Sequence, residues 1–213
     1  MLGKLLTGLK IILPVILSLL CITQGYAQPL EPLSALVVRL QKAPHDDALR
    51  HQVIRRAREM VPEPTIPAEV QSHESLGYAL LGNAKTQQDY LAALREFQQA
   101  LRLAPWVARL YFILGETYEK MSDGALAEQA AGMQPRQSCS AEMFDKERRL
   151  FDGYNRAREN FEFFLLAEVK ISEQDTAMIK HRITEWQLRL ATWKYQWETA
   201  CCLGCGGKQD SIK

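Results

Sequence analysis

From Leu33 to Trp197 the apolar residues recur in steps of three and four, and prolines or cap-forming residues stand between the runs. No other feature limits the fold as much. This spacing puts apolar side chains on one face of a helix and leaves no period-two alternation from which to build a sheet. Leu33, Leu36, Val37 and Leu40 make the first stripe, and Pro44 ends it. Asp46 or Asp47 caps a second helix with Leu49, Val53, Ala57 and Met60 on its face. Pro62, Pro64 and Pro67 form a stiff connector, and Pro67 suits the first turn of a third helix carrying Val70, Gly77, Leu80 and Leu81. Leu94, Phe97 and Leu101 mark a fourth helix that Pro105 stops; Leu110, Tyr111, Leu114 and Tyr118 mark a fifth. Residues 121–140 read as loop-like, with a short alanine-rich helix over 125–131. Helix returns from Met143 to Lys170 on a stripe that includes Phe151, Tyr154, Phe161 and Phe164. Ser172 and Asp175 form a cap pair. Ile179, Ile183, Trp186, Leu190, Trp193 and Trp197 then make a heptad-like seam. The fold class is all-α, an array of antiparallel helical hairpins closed by a long C-terminal helix.

Residues 1–27 differ from the rest. Lys4 and Lys10 are their only charges, Ile11 to Ile22 is almost wholly apolar, and Gly25-Tyr26-Ala27 offers small residues for cleavage. This is the layout of a secretory signal. The apolar stretch is shorter than the roughly 20 residues that span a bilayer. Export is therefore expected, with an uncleaved inner-membrane anchor as the alternative. Membrane contact is expected only in that second case.

Tyr78-x-x-Leu81-Gly82 recurs as Tyr111-x-x-Leu114-Gly115, 33 residues later. Tyr118 follows the second copy; Ala93, Phe97 and then Pro105 follow the first. Ala157-x-x-x-Phe161 supplies the missing pair of the second copy. A small residue at Gly82 and Gly115 lets two helices approach, and the alanine is its small partner. These positions resemble the tetratricopeptide repeat, whose period is about 34 residues, and the chain is most similar to exported bacterial proteins of that type. The resemblance implies a periplasmic protein–protein interaction scaffold, binding another protein or a peptide. Its recognition face, carried over by position, would include Leu76, Ala79, Asn83, Arg109, Phe112 and Glu116, with Asn83, Arg109, Phe112 and Glu116 in contact with the partner.

The domain plan is a signal at 1–27, a helix pair and connector at 28–66, and the first repeat with the opening helix of the second at 67–120. An insertion at 121–150 follows, then the closing helices at 151–200 and a Cys/Gly-rich tail at 201–213. No His-Glu-x-x-His, Gly-x-Ser-x-Gly or Gly-x-Gly-x-x-Gly occurs, so no catalysis, cofactor or metal is expected. With 26 basic against 25 acidic residues there is no basic footprint for nucleic acid. Cys139, Cys201, Cys202 and Cys205 are an even set for an oxidising compartment, and a disulfide from Cys139 to one of the other three is expected. Two other function classes fit: a redox or metal module through Cys201-Cys202-x-x-Cys205, and an envelope-anchored spacer. The tryptophan seam is expected to pack as core, with a homodimer contact as its other use.

Overall fold

Among the described residues seven helices follow one another: α1 (Leu33–Lys42), α2 (Asp47–Arg58), α3 (Ala68–Gly82), α4 (Gln87–Leu103), α5 (Ala108–Ala131), α6 (Ala141–Ala167) and α7 (Glu173–Gly204). The computed structural model describes residues 31–131 and 141–204, with the backbone alone at 126–131, 141–147, 193 and 196–204. Among the described residues there is no strand, and the fold is all-α. The described residues from Leu33 onward belong to one compact unit. The expected signal segment lies outside the described residues.

Local chemistry fixes where the helices begin. The Asp46 carboxylate accepts from the Leu49 N–H at 2.9 Å and caps α2. Pro67 stands one position earlier than expected, at the N-cap position of α3, where no side chain caps the helix. α4 opens with a capping box: Thr86 Oγ1 accepts from the Asp89 N–H, and Asp89 Oδ2 accepts from the Thr86 N–H at 2.8 Å. Ser172 Oγ accepts from the Asp175 N–H at 3.0 Å and starts α7, as the sequence leads one to expect.

Consecutive helices from α3 to α7 pack against one another and run antiparallel. In the first pair, Val70 near the start of α3 meets Ala100 and Ala104 at the end of α4, while Leu80 and Leu81 meet Ala93 and Leu94. In the second, Tyr111 stacks on Phe163 near the start of α5 and the end of α6, and Tyr154 reaches Asp123 at the other end. α7 closes the array by burying Ile179, Ile183 and Trp186 against Tyr154, Ala157 and Phe161. Trp186 is the buried core residue that the seam called for; the side chains of Trp193 and Trp197 lie outside the described residues.

The α1–α2 hairpin covers the second helices of both pairs. Gln41 Nε2 donates to the Arg102 carbonyl of α4 at 3.2 Å, and Arg58 Nη1 donates to the Leu166 carbonyl of α6 at 2.8 Å. Ile54 of α2 is buried with Tyr111, Phe163 and Ala167.

The expected loop over 121–140 is corrected at its first half. α5 continues unbroken to Ala131, because residues 117–123 have packing that their composition conceals. Thr117 and Ser122 are buried, and Asp123 accepts a 2.6 Å hydrogen bond from the Tyr154 hydroxyl. Ser122 Oγ would collide with a Cβ on Gly153, so the missing side chain at 153 makes room for this approach of α5 and α6. The inserted segment 121–150 is therefore largely an extension of the two helices rather than a separate module.

Candidate functional site

The glycine that sits at a helix crossing in the first pair is Gly77, not Gly82. A Cβ on Gly77 would lie 2.6 Å from the Phe97 ring, whereas a Cβ on Gly82 would have nothing within 4 Å. Gly82 is exposed and is the last residue of α3. In the second pair Gly115 is placed as expected, with its missing Cβ 2.7 Å from the Phe161 ring. Ala93 and Ala157, one turn before the two phenylalanines, are fully buried. The two pairs thus share a Gly/Ala/Phe triple, and Gly77 rather than Gly82 matches Gly115.

This shift of five residues moves the recognition face. Leu76 and Ala79 are exposed on a different line of α3. Asn83 is exposed and its amide donates to the Ala79 carbonyl at 2.8 Å, ending the helix. The equivalent positions counted from Gly77 are Gln71, Glu74 and Tyr78. These three, with Ile66, Ser75 and Arg109, border a depression of about 380 Å³ on the side of α3 and α5.

Its floor is an ion pair. Arg109 donates from Nε to Glu74 Oε1 at 2.8 Å and from Nη2 to Oε2 at 2.9 Å. Glu74 is only 9% exposed, so the guanidinium plane is held in place while its other N–H donors face outward. The Glu74 hydrogen bond raises the Arg109 pKa against the opposing effect of burial. Tyr78 stands beside the pair, 47% exposed and edge-on to Phe97 at 5.3 Å. Burial, then the Glu74 carboxylate, raises its phenol pKa and keeps it a neutral donor. Tyr78 is thus a half-exposed edge of the site, unlike its counterpart in the repeated pattern, the buried Tyr111.

Phe112 and Glu116 do not join this site. Phe112 is half-buried, at 5.5 Å from Phe161 and 5.2 Å from Phe164, and fills the core between α5 and α6. Glu116 lies 3.8 Å from Arg182 of α7, whose guanidinium also pairs with Glu119 and stacks over Phe161 and Trp186. Burial raises the Glu119 pKa although Arg182 works against it. That cluster ties α7 to α5.

Leu81 and Tyr118 are half-buried, and Pro105, Tyr111 and Leu114 are buried; Tyr111 donates to the Pro105 carbonyl at 2.7 Å. Cys201 and Cys202 fall in the last turn of α7, while Cys139 and Cys205 lie outside the described residues, as does any bridge between them. Among the described residues no three His, Cys, Asp or Glu side chains converge to hold a metal, and no helix is long and apolar enough to cross a membrane. No family model, curated protein or solved structure matches this chain.

Proposed function

We propose that the chain is a non-catalytic protein-interaction scaffold of the bacterial periplasm, built on hairpins of tetratricopeptide type. The Gly/Ala/Phe triple repeated in the two helix pairs carries this reading. Gly77 precedes Ala93 by 16 residues and Gly115 precedes Ala157 by 42, so the second hairpin is the same unit lengthened by 26 residues. The Arg109 depression supports a binding role. It joins a fixed guanidinium, a half-exposed tyrosine and an exposed Ile66, the kinds of group that anchor protein interfaces. Export follows from the layout of residues 1–27.

Replacing Arg109 alone is a poor test, because it strands the buried Glu74 carboxylate. Ser75→Arg and Gln71→Arg are cleaner, since both residues are exposed on the border of the depression. Each is expected to abolish capture of the periplasmic partner that the parent protein retains, with the thermal midpoint unchanged. Capture that survives both changes moves recognition off this face.

A further inference from the structure

A second recess lies on the opposite side of the array. It runs between α4 and α6 under the end of the α1–α2 hairpin, with a volume of about 160 Å³. Leu40, Leu101, Leu114 and Phe163 give it an apolar floor. Small-molecule sites are usually about 300–1,000 Å³, too large for this recess. A cavity of about 150 Å³ admits a benzene-sized group, so the recess accepts one leucine- or phenylalanine-sized side chain.

The charges around it are unequal in availability. Arg50 is committed: it stacks over Phe163 at 4.8 Å and donates to Asp47 and to the Pro44 carbonyl. Glu159 accepts from the Asn155 amide at 2.9 Å and is the one carboxylate on the border. Arg102 from α4 and Arg156 from α6 are exposed, and the side chain of neither makes a hydrogen bond or ion pair among the described residues. His45 is the other basic group on the border. On the border of the recess Arg50, Arg102 and Arg156 outnumber the single carboxylate, Glu159, while Asp47 and Asp152 line only the adjoining hollow, so the recess keeps an excess of positive charge. Tyr118, whose hydroxyl accepts from Gln98 Nε2 at 2.9 Å, adds a hydroxyl donor to the wall.

We propose that this recess binds an extended segment of a partner protein in which one bulky apolar side chain is flanked by acidic residues. The apolar group fills the floor, and the flanking carboxylates meet Arg102 and Arg156. Two guanidiniums on separate helices beside an apolar floor set the class of ligand. This inference does not depend on the Arg109 face.

The test uses the full chain and fluorescent ten-residue peptides with a central phenylalanine, flanked by aspartate, serine or lysine. Anisotropy titration is expected to show saturable binding of the aspartate-flanked peptide, with the serine and lysine versions weaker by about tenfold or more. Replacing the phenylalanine by alanine should remove binding. Arg102→Glu with Arg156→Glu should weaken the aspartate peptide by about tenfold or more and favour the lysine peptide; the milder Arg102→Gln and Arg156→Gln should each give part of the loss. Circular dichroism melts establish that the variants fold. Equal binding of all three flanks, binding unchanged in the double variant, or no binding of any peptide at millimolar concentration would each overturn the proposal. The Ser75→Arg variant should bind the aspartate peptide like the parent; loss there would assign the peptide to the other face.

Discussion

The α3–α4 and α5–α6 pairs contain the same contact, a glycine under a phenylalanine ring, in different surroundings. Phe97 has Tyr78 at its edge, and Tyr78 is half in water. Phe161 is enclosed: Trp186 lies at 5.2 Å, Phe112 at 5.5 Å and the Arg182 guanidinium at 4.7 Å. The second pair also has Gly153 closing on Ser122. The first pair is joined by a short connection held by a capping box, while the second is held by its neighbours on both sides. One motif is thus stabilised in two ways, by local capping in one copy and by enclosure in the other.

Trp186 tests the enclosure most strongly. It is 3% exposed and closes the core against Phe161, so Trp186→Ala is expected to cost about 3–5 kcal/mol. Chemical denaturation measures the loss, and sedimentation should show an unchanged oligomeric state. A variant of parental stability with an altered oligomeric state would make the seam an interface between chains instead.

The three glycines separate the two surroundings further. A methyl at 115 would press on a ring that cannot retreat, at an overpacking cost of about 1–3 kcal/mol, against a gain of about 1 kcal/mol from helix propensity. Gly115→Ala should therefore destabilise. Gly77→Ala meets an equally short contact, but the Phe97 ring can tilt toward the half-exposed Tyr78, so its loss should be smaller. Gly82→Ala should be neutral or stabilising, since nothing lies near its Cβ and its φ is not positive. Melts of the three variants give the order; Gly82→Ala falling lowest would restore the 33-residue register.

Helix positions were legible because proline and caps punctuate the sequence. Pro44, Pro105 and Ser172 stand where helices end or begin. The repeat register was harder to read. Leu76-Gly77 and Leu81-Gly82 are both Leu-Gly pairs, and only the second has a tyrosine three residues before the leucine to match Tyr111. The deciding signal was position within the helix: Gly77 lies inside α3, whereas Gly82 is its last residue. Residues 121–131 misled for a different reason. Ser122, Asp123 and Gly124 are turn formers by composition, but a buried Ser122 facing Gly153 and a Tyr154–Asp123 hydrogen bond keep them helical. Such long-range pairings leave no periodic trace. The unpaired state of Arg102 and Arg156 is equally invisible in a sequence where acids and bases balance.

The smallest effect concerns the cap of the first pair. The Asp89 carboxylate accepts from the backbone N–H groups of Lys85 and Thr86 and from the Thr86 hydroxyl, in that order of influence, and these bonds hold its pKa below the ordinary aspartate value. A depressed folded-state pKa means that the unfolded chain takes the proton more readily. The cap's contribution is therefore fully present above the ordinary aspartate range, near pH 4, and is lost as the pH falls through the folded value. Asp89→Ala should be less stable than the parent at pH 7, and the gap should narrow as the pH falls below 4. A gap of the same size at pH 7 and pH 3 would mean that the carboxylate's charge plays no part. Hydrogen exchange locates the effect. Acid should speed exchange in the first turn of α4, relative to an unstructured reference at the same pH, before it does so in α6. If α6 opens first, enclosure is the weaker of the two devices and the contrast between the pairs is reversed.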